Sequence, residues 1–165
     1  ICRELVMPAR IGEELASSVI ELAMDVVAAI DGAGIVAVEM FVTTDGTLLI
    51  NEFATRPHNS GHATIEGAVT SQFHNHVRAV LDWPLGSTKL VAPAVAMVNV
   101  LGRGTDVAMA SLARALDVEG ASVHLYGKEE RLGRKIGHVT ALGNSPDEAL
   151  STARKAAALL GGEAP

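Results

Sequence analysis

Two glutamates, Glu39 and Glu52, lie on two short apolar segments that an Asp45-Gly46 pair connects. An Asp-Gly pair between apolar runs predicts a tight β-hairpin with a two-residue loop. In that register Glu39 lies directly opposite Glu52, and opposed side chains have Cβ atoms roughly 4.5–5.5 Å apart. Because both segments are otherwise almost entirely apolar, we expect this face of the hairpin to be at least half buried.

Two adjacent carboxylates would repel each other, and one would stay protonated unless a cation lay between them. A divalent cation removes this conflict. Oxygen ligands suit magnesium, which takes one or two carboxylates and completes its shell with water and substrate phosphates. We therefore predict that Glu39 and Glu52 bind magnesium on a nucleotide. Alternatively, one of the two glutamates is exposed at a strand end and the other forms an ion pair with a lysine or arginine. A one-residue register shift would be enough to separate the carboxylates.

Anion-binding groups follow Glu52 in the sequence RPHNSGH over residues 56–62. Arg56 comes shortly after a strand end, where loops carry binding groups, and its planar guanidinium suits a carboxylate or phosphate. The histidines could bind anionic oxygen or transfer a proton. A surface ion pair, structural histidines and turn-capping polar groups are the alternatives. The predicted anion-binding residues of this loop are Arg56, His58, Asn59, Ser60 and His62.

A second basic segment, KEERLGRKIGH, covers residues 128–138. Lys128, Arg134 and Lys135 are candidates for binding a phosphate, and Gly133 and Gly137 would leave room for it to approach. The alternative is a solvated loop whose positive charges offset the neighbouring glutamates.

Composition limits the function classes. The chain has 165 residues and a net charge of −6, which argues against nucleic acid as the main partner because phosphate binding needs a cationic surface. Its single cysteine excludes an intrachain disulfide and favours a reducing cytoplasm. The apolar stretch over 90–102 is too short to cross a bilayer. The chain opens without methionine in a strand-like segment, so we expect a piece of a longer protein.

The elements that must position these groups follow from apolar spacing. Apolar residues every three or four positions predict helices, and short apolar runs bounded by turn residues predict strands. A last helix is expected after Ser145, with Pro146 at its first position and Glu148 three residues past the cap. The predicted helices are 12–30, 70–81, 105–116 and the one after Ser145, and the predicted strands are 1–9, 34–44, 47–53, 91–102, 121–127 and 135–143.

Two motifs carry a resemblance to a known family. The first is RPHNSGH, within AVEMFVTTDGTLLINEFATRPHNSGHATIEG, and the second is GRKIGH, within LYGKEERLGRKIGH. The chain resembles the C-terminal part of the 5-(carboxyamino)imidazole ribonucleotide synthases, ATP-grasp enzymes of purine biosynthesis. The related formate-dependent glycinamide ribonucleotide transformylases usually read RPHDTG at the first motif, so Asn59-Ser60 favours the carboxylating family.

The resemblance implies an α+β fold in two parts. Residues 1–88 would be the C-terminal part of an ATP-grasp domain, an antiparallel sheet with helices. Residues 89–165 would form a small α/β C-terminal domain. The N-terminal part of the enzyme would be missing from this chain, and family members are often cytoplasmic homodimers.

The resemblance also implies a reaction and roles for the residues. The family uses ATP to phosphorylate bicarbonate, and the carboxyphosphate then carboxylates the amine of 5-aminoimidazole ribonucleotide. Glu39 and Glu52 match the magnesium ligands, and Asn51 with Glu52 matches the ATP-contacting pair. A third ligand is not predicted, because Ala54 stands where relatives have asparagine. The expected catalytic groups are Arg56 and His58, and the expected substrate contacts are Arg56, His58, Asn59, Ser60, His62, Lys128, Arg134 and Lys135. A formate-using relative and a non-catalytic dimerisation module remain alternatives.

Overall fold

A computed structural model describes residues 2–103 and 107–161. Helices and antiparallel sheets alternate along these residues, which confirms the predicted α+β class. Within the described part of the chain, no helix combines the length and the apolar character needed to cross a membrane. In chain order the elements are β1 Glu4–Met7, α1 Glu13–Ile30, β2 Ala37–Val42, β3 Leu48–Ala54, a 3₁₀ helix Asn59–Ala63, α2 Thr64–Gly67, α3 Gln72–Val80, β4 Ala94–Leu101, α4 Val107–Leu116, β5 Ala121–Leu125, β6 Lys135–Gly143 and α5 Pro146–Leu159.

Most predicted elements are present with ends shifted by a few residues. The first helix and the last strand have nearly the predicted bounds. The cap of α5 is confirmed, because the Ser145 hydroxyl accepts a hydrogen bond from the Glu148 N–H at 3.2 Å. Residues 105 and 106, at the start of the helix predicted over 105–116, lie outside the described residues.

The main core lies on one face of a four-stranded antiparallel sheet with the order β1-β4-β6-β5. Strand β4 is buried along Ala94–Val100, which explains why its sequence is apolar except for Asn99. Helix α5 packs on the sheet through small side chains spaced three or four apart, which lets its backbone approach closely. These buried alanines are Ala149, Ala153, Ala156 and Ala157.

The opposite face of this sheet carries the 3₁₀ helix and a smaller cluster of Ala63, Val95 and Met97. Strand β1 pairs with β4, so segments on both sides of the predicted boundary at residues 88 and 89 share one sheet. The boundary itself stays a prediction.

The hairpin β2-β3 forms a separate two-stranded sheet whose loop differs from the prediction. The Gly46 N–H donates to the Thr43 carbonyl at 3.0 Å, and the Thr43 N–H donates to the Thr47 carbonyl at 3.0 Å. With Gly46 at φ +86°, these bonds enclose three loop residues rather than two. The register shifts again next to Glu39, where Asn51 is the extra residue on β3. The two deviations cancel, so Glu39 still pairs with Glu52.

The expectation that the hairpin face would be at least half buried is wrong for β3. Its residues 49–53 are exposed, and Phe53 retains 53% of its accessible surface. A two-stranded sheet leaves a face open wherever no second layer covers it. Strand β2 is more protected, with intermediate burial over 37–40.

Gly137 is buried where β6 lies between β4 and β5, so the space predicted for an approaching phosphate is occupied by protein. A Cβ atom at this position would overlap the His124 carbonyl oxygen and lie 2.9 Å from the Leu125 Cδ2 atom. Because the carbonyl belongs to a paired strand, it cannot move without disturbing the sheet.

We expect Gly137→Ala to lower the free energy of unfolding by about 1–3 kcal/mol, as overpacking in a core typically does. Urea denaturation measures the change. Gly12→Ala is the control, since a Cβ there meets nothing within 4 Å. Equal midpoints for the two variants would contradict the steric argument.

Candidate active site

Three side chains that can bind a cation converge beside the hairpin. Glu39 lies on β2, Glu52 lies opposite on β3, and His58 follows in the loop before the 3₁₀ helix. Each offers one ligand atom, and these atoms all lie within 4.8 Å of one another. The His58 Nε2 atom is 3.6 Å from Glu39 Oε1. Two carboxylates suit magnesium, so the donor set fits the predicted cation, and an imidazole adds a group that transition metals also accept.

Asn51 is the bulged residue next to Glu52, and its Nδ2 atom donates to Glu39 Oε2 at 3.4 Å. The predicted ATP-contacting pair Asn51 and Glu52 therefore borders the carboxylate cluster. Sequence reasoning did not include His58 among the metal ligands, because hairpin pairing gives no information about the loop that follows.

Gln72 fixes the loop that carries His58. Its Oε1 atom accepts from the His58 N–H at 2.9 Å, and its Nε2 atom donates to the His58 carbonyl at 2.8 Å. The same Nε2 atom lies 2.8 Å from His62 Nδ1, and His58 Nδ1 lies 2.9 Å from the Ser60 hydroxyl. Gln72 is buried at the start of α3 and was missed by the sequence analysis, since it lies fourteen residues beyond the loop position that it contacts.

The Arg56 guanidinium is exposed at the mouth of this loop. Its Nη1 atom donates to the Pro57 carbonyl at 3.2 Å. Within residues 2–103 and 107–161 it forms no ion pair with an acidic side chain, so the alternative of a surface ion pair is not realised there. The planar group is thus available for a carboxylate or a phosphate.

The two sequence motifs meet through Lys135, whose Nζ atom donates to Asn59 Oδ1 at 2.8 Å. The other two predicted phosphate-binding groups are exposed. Lys128 Nζ lies 4.9 Å from the centre of the Tyr126 ring, and Arg134 Nη1 donates to the Glu129 carbonyl at 3.2 Å. Lys128 and Arg134 therefore lie on the surface, and the charge of Lys128 acts on His62 in the loop of residues 56–62.

Three histidine rings meet where this loop packs on the sheet, and we refer to them as the histidine stack. The ring centroids of His124 and His138 are 4.6 Å apart, and those of His62 and His138 are 5.3 Å apart. Burial, followed by the neighbouring His124 and His62, lowers the pKa of His138 to about 3. Burial and then His124 also lower the pKa of His62. Both rings are therefore neutral near pH 7, so His62 as a substrate contact would act as a neutral group.

Hydrogen bonds hold the stack in place. The Tyr126 hydroxyl lies 2.8 Å from His138 Nδ1, and His124 Nε2 lies 2.6 Å from Glu66 Oε1. His124 pairs with His138 across β5 and β6, a contact that becomes visible only once the register of these strands is known. The sequence analysis gave no role to His124, Tyr126 or Glu66 for that reason.

Two family models match the chain. Residues 1–73 match the ATP-grasp domain, and residues 95–152 match the phosphoribosylaminoimidazole carboxylase C-terminal domain. N5-carboxyaminoimidazole ribonucleotide synthase of Mycobacterium bovis is 46% identical over 161 residues, which cover 94% of this chain and 38% of the relative. Phosphoribosylaminoimidazole carboxylase of Schizosaccharomyces pombe is 46% identical over 155 residues, 90% of this chain and 28% of the relative.

Solved structures of such enzymes have the same fold. The synthetase of Thermotoga maritima superposes with a TM-score of 0.85 at 44% identity, over 94% of this chain and 44% of that one. The Aspergillus clavatus enzyme, in complex with ADP and 5-aminoimidazole ribonucleotide, gives a TM-score of 0.88 at 37% identity, over 97% and 44%. The chain thus spans less than half the length of these relatives. Its two domain matches and these likenesses make the chain a relative, over nearly its whole length, of part of the N5-carboxyaminoimidazole ribonucleotide synthases.

Proposed function

We propose that this chain supplies part of the active site of an ATP-dependent ligase that carboxylates 5-aminoimidazole ribonucleotide with bicarbonate. The products would be 5-(carboxyamino)imidazole ribonucleotide, ADP and phosphate, in purine biosynthesis. The observation that supports this most strongly is the convergence of Glu39, Glu52 and His58 beside the loop of residues 56–62. The identity to named synthases over nearly the whole chain supports the choice of substrates.

Two displacement steps account for the reaction. A bicarbonate oxygen attacks the γ-phosphorus of ATP, the bond to the β-phosphate oxygen breaks, and ADP leaves. The amine of the ribonucleotide then attacks the carboxyphosphate carbon, phosphate leaves, and the amine loses a proton. In both steps negative charge develops on oxygen atoms, so positioned cationic groups and hydrogen-bond donors lower the activation barriers.

Glu39 and Glu52 would hold magnesium, with Asn51 beside them on the nucleotide. Magnesium, when bound, neutralises charge on the ATP phosphates and on the leaving ADP. The exposed guanidinium of Arg56 would bind bicarbonate and its phosphorylated form through two parallel hydrogen bonds. His58, two residues after Arg56 and 3.6 Å from Glu39, would contact the same intermediate, and its imidazole would accept the proton that the amine loses.

The ribonucleotide phosphate would be bound by Lys128 and Arg134, on the segment before β6, and by Lys135 at the start of β6. Ser60 and His62 would line the path between this phosphate and the carboxyphosphate. We also infer that the protein acts in the cytoplasm, as a homodimer and without nucleic acid, together with the part of the ATP-grasp fold that precedes residue 1 in its relatives.

A turnover assay on the full-length protein tests the proposal. We expect release of phosphate from ATP to require both bicarbonate and 5-aminoimidazole ribonucleotide. Formate with glycinamide ribonucleotide should not replace them. Turnover with formate would establish the transformylase activity instead, and a protein that hydrolyses no ATP with either pair would contradict both enzymatic functions.

A further inference from the structure

Asn59 is the residue through which the loop of residues 56–62 contacts Lys135, and its side-chain amide is saturated with hydrogen bonds. Its Oδ1 atom accepts from Asn99 Nδ2 at 2.9 Å and from Lys135 Nζ at 2.8 Å. Its Nδ2 atom donates to Asn99 Oδ1 at 2.9 Å and to the Tyr126 hydroxyl at 3.4 Å. An amide side chain has two acceptor sites and two donor hydrogens. All four are used, so the side chain has none left for a ligand.

The orientation of the Asn59 amide is set from inside the protein. Asn99 is 3% exposed on β4, and its Nδ2 atom also donates to the Cys2 carbonyl at 3.1 Å. A carbonyl can only accept, so this bond determines which edge of Asn99 carries the nitrogen. The reciprocal pair of bonds then determines the orientation of Asn59 and turns its Oδ1 atom toward Lys135.

The second neighbour of Asn59 agrees with this orientation. The Tyr126 hydroxyl lies 2.8 Å from the buried His138 Nδ1 atom. A neutral His138 that accepts there leaves the phenol oxygen able to accept from Asn59 Nδ2. Lys135 itself only donates, so it requires an oxygen on Asn59. Three independent partners therefore favour the same amide orientation.

We propose that Asn99 and Tyr126 are positioning residues that lock the Asn59 amide, and that Asn59 in turn holds the Lys135 ammonium at a fixed place for an anionic substrate group. In this arrangement Asn59 is a support for Lys135 rather than a substrate contact. The part that concerns the substrate rests on the proposed function. The part that concerns the ammonium does not, because it follows from the hydrogen bonds alone.

The ammonium can be observed directly by NMR of lysine Nζ groups. The chain has four lysines, Lys89, Lys128, Lys135 and Lys155, so Lys135→Arg assigns the signal by its loss. We expect Lys135 to give a slowly exchanging ammonium signal in the wild-type chain. Asn99→Ala should abolish that protection.

Asn75→Ala is the matched control. Asn75 is also a buried asparagine, 5% exposed, and it makes two hydrogen bonds to the backbone of Gly86 at 2.8 and 3.3 Å. Its removal costs comparable bonds but leaves the Asn59 network intact, so the Lys135 signal should stay protected. Tyr126→Phe is a milder second variant, to be used if Asn99→Ala does not fold. It should increase the exchange rate of the Lys135 ammonium.

Kinetics of the full-length protein test the consequence for the substrate. We expect Asn99→Ala to raise the KM for the ribonucleotide about tenfold while kcat changes less than about threefold, since one oriented charged contact is worth about that factor. Asn75→Ala should leave both values unchanged. A protected Lys135 signal in both Asn99→Ala and Tyr126→Phe would overturn the inference. Loss of protection with an unchanged KM would support the positioning role and overturn phosphate capture by Lys135.

Discussion

Glu52→Gln should lower ATP-dependent carboxylation by at least about a hundredfold in the full-length protein. Glutamine has nearly the shape of glutamate but no charge, so the site would retain one carboxylate, on Glu39, and the neighbouring His58. Removing one preorganised electrostatic group from a reacting centre typically costs a factor of about 10²–10³. Phosphate release in the presence of bicarbonate, magnesium and the ribonucleotide measures this loss.

Thermal unfolding separates a metal-binding role from a structural one. Without a divalent cation, Glu52→Gln removes a repulsion between paired carboxylates, so its melting temperature should equal or exceed that of the wild type. Added Mg²⁺ or Mn²⁺ should raise the melting temperature of the wild type and not that of the variant, because a ligand stabilises only the form that binds it.

Glu14→Gln is the control for Glu52→Gln. It makes the same change of charge at an exposed position on α1, and both activity and the response to metal should be retained. Full turnover by Glu52→Gln would exclude the metal role and favour the dimerisation module.

The carboxylate pair shows how far sequence reasoning reaches. Apolar patterning and Asp45-Gly46 predicted the hairpin, and the pairing of Glu39 with Glu52 is confirmed. The predicted two-residue loop was wrong. The loop has three residues, which shifts the register by one, and the bulge at Asn51 restores it. Loop length depends on backbone torsions such as φ +86° at Gly46, which the residue types allow but do not require.

The rest of the site depends on tertiary contacts that no local pattern encodes. Asn59 and Lys135 are 76 positions apart, and they meet because the 3₁₀ helix packs on the face of the sheet that carries Asn99. Both motifs were found from their residue types alone. Their connection through Asn99 and Tyr126 requires the order β1-β4-β6-β5, and neither residue lies within RPHNSGH or GRKIGH. A polar residue inside the apolar run of β4 was the one available signal.

The buried histidine stack has a consequence for stability that depends on pH. The His138 ring contacts the rings of His124 and His62 and is hydrogen-bonded to Tyr126. His124 in turn is hydrogen-bonded to Glu66. His138 Nε2 is buried without a hydrogen-bond partner within the described residues, so no acceptor is in place for a charged ring there. In the folded chain His138 protonates only near a pKa of about 3, against 6.5 when exposed.

The unfolded chain therefore binds an additional proton between about pH 6.5 and pH 3, and stability falls as the pH falls through this window. Above about pH 6.5 neither state binds the proton, so the contribution to stability is complete. The lowered pKa of His62 acts in the same direction. The Arg154 hydrogen bond lowers the pKa of Glu4 from 4.5, so that carboxylate loses its stabilising contribution only at more acidic pH.

We expect the free energy of unfolding of the wild type to fall from about pH 7 to about pH 5, with about 2 kcal/mol of the fall due to His138 alone. In His138→Gln that part of the fall should disappear, because glutamine does not titrate and its amide can still bond the Tyr126 hydroxyl. Urea denaturation at several pH values measures both slopes. His74→Gln, at an exposed position on α3, should keep the wild-type slope. Equal slopes for His138→Gln and His74→Gln would mean that His138 takes up its proton in the folded chain, and the neutral stack would then be the wrong description of this face.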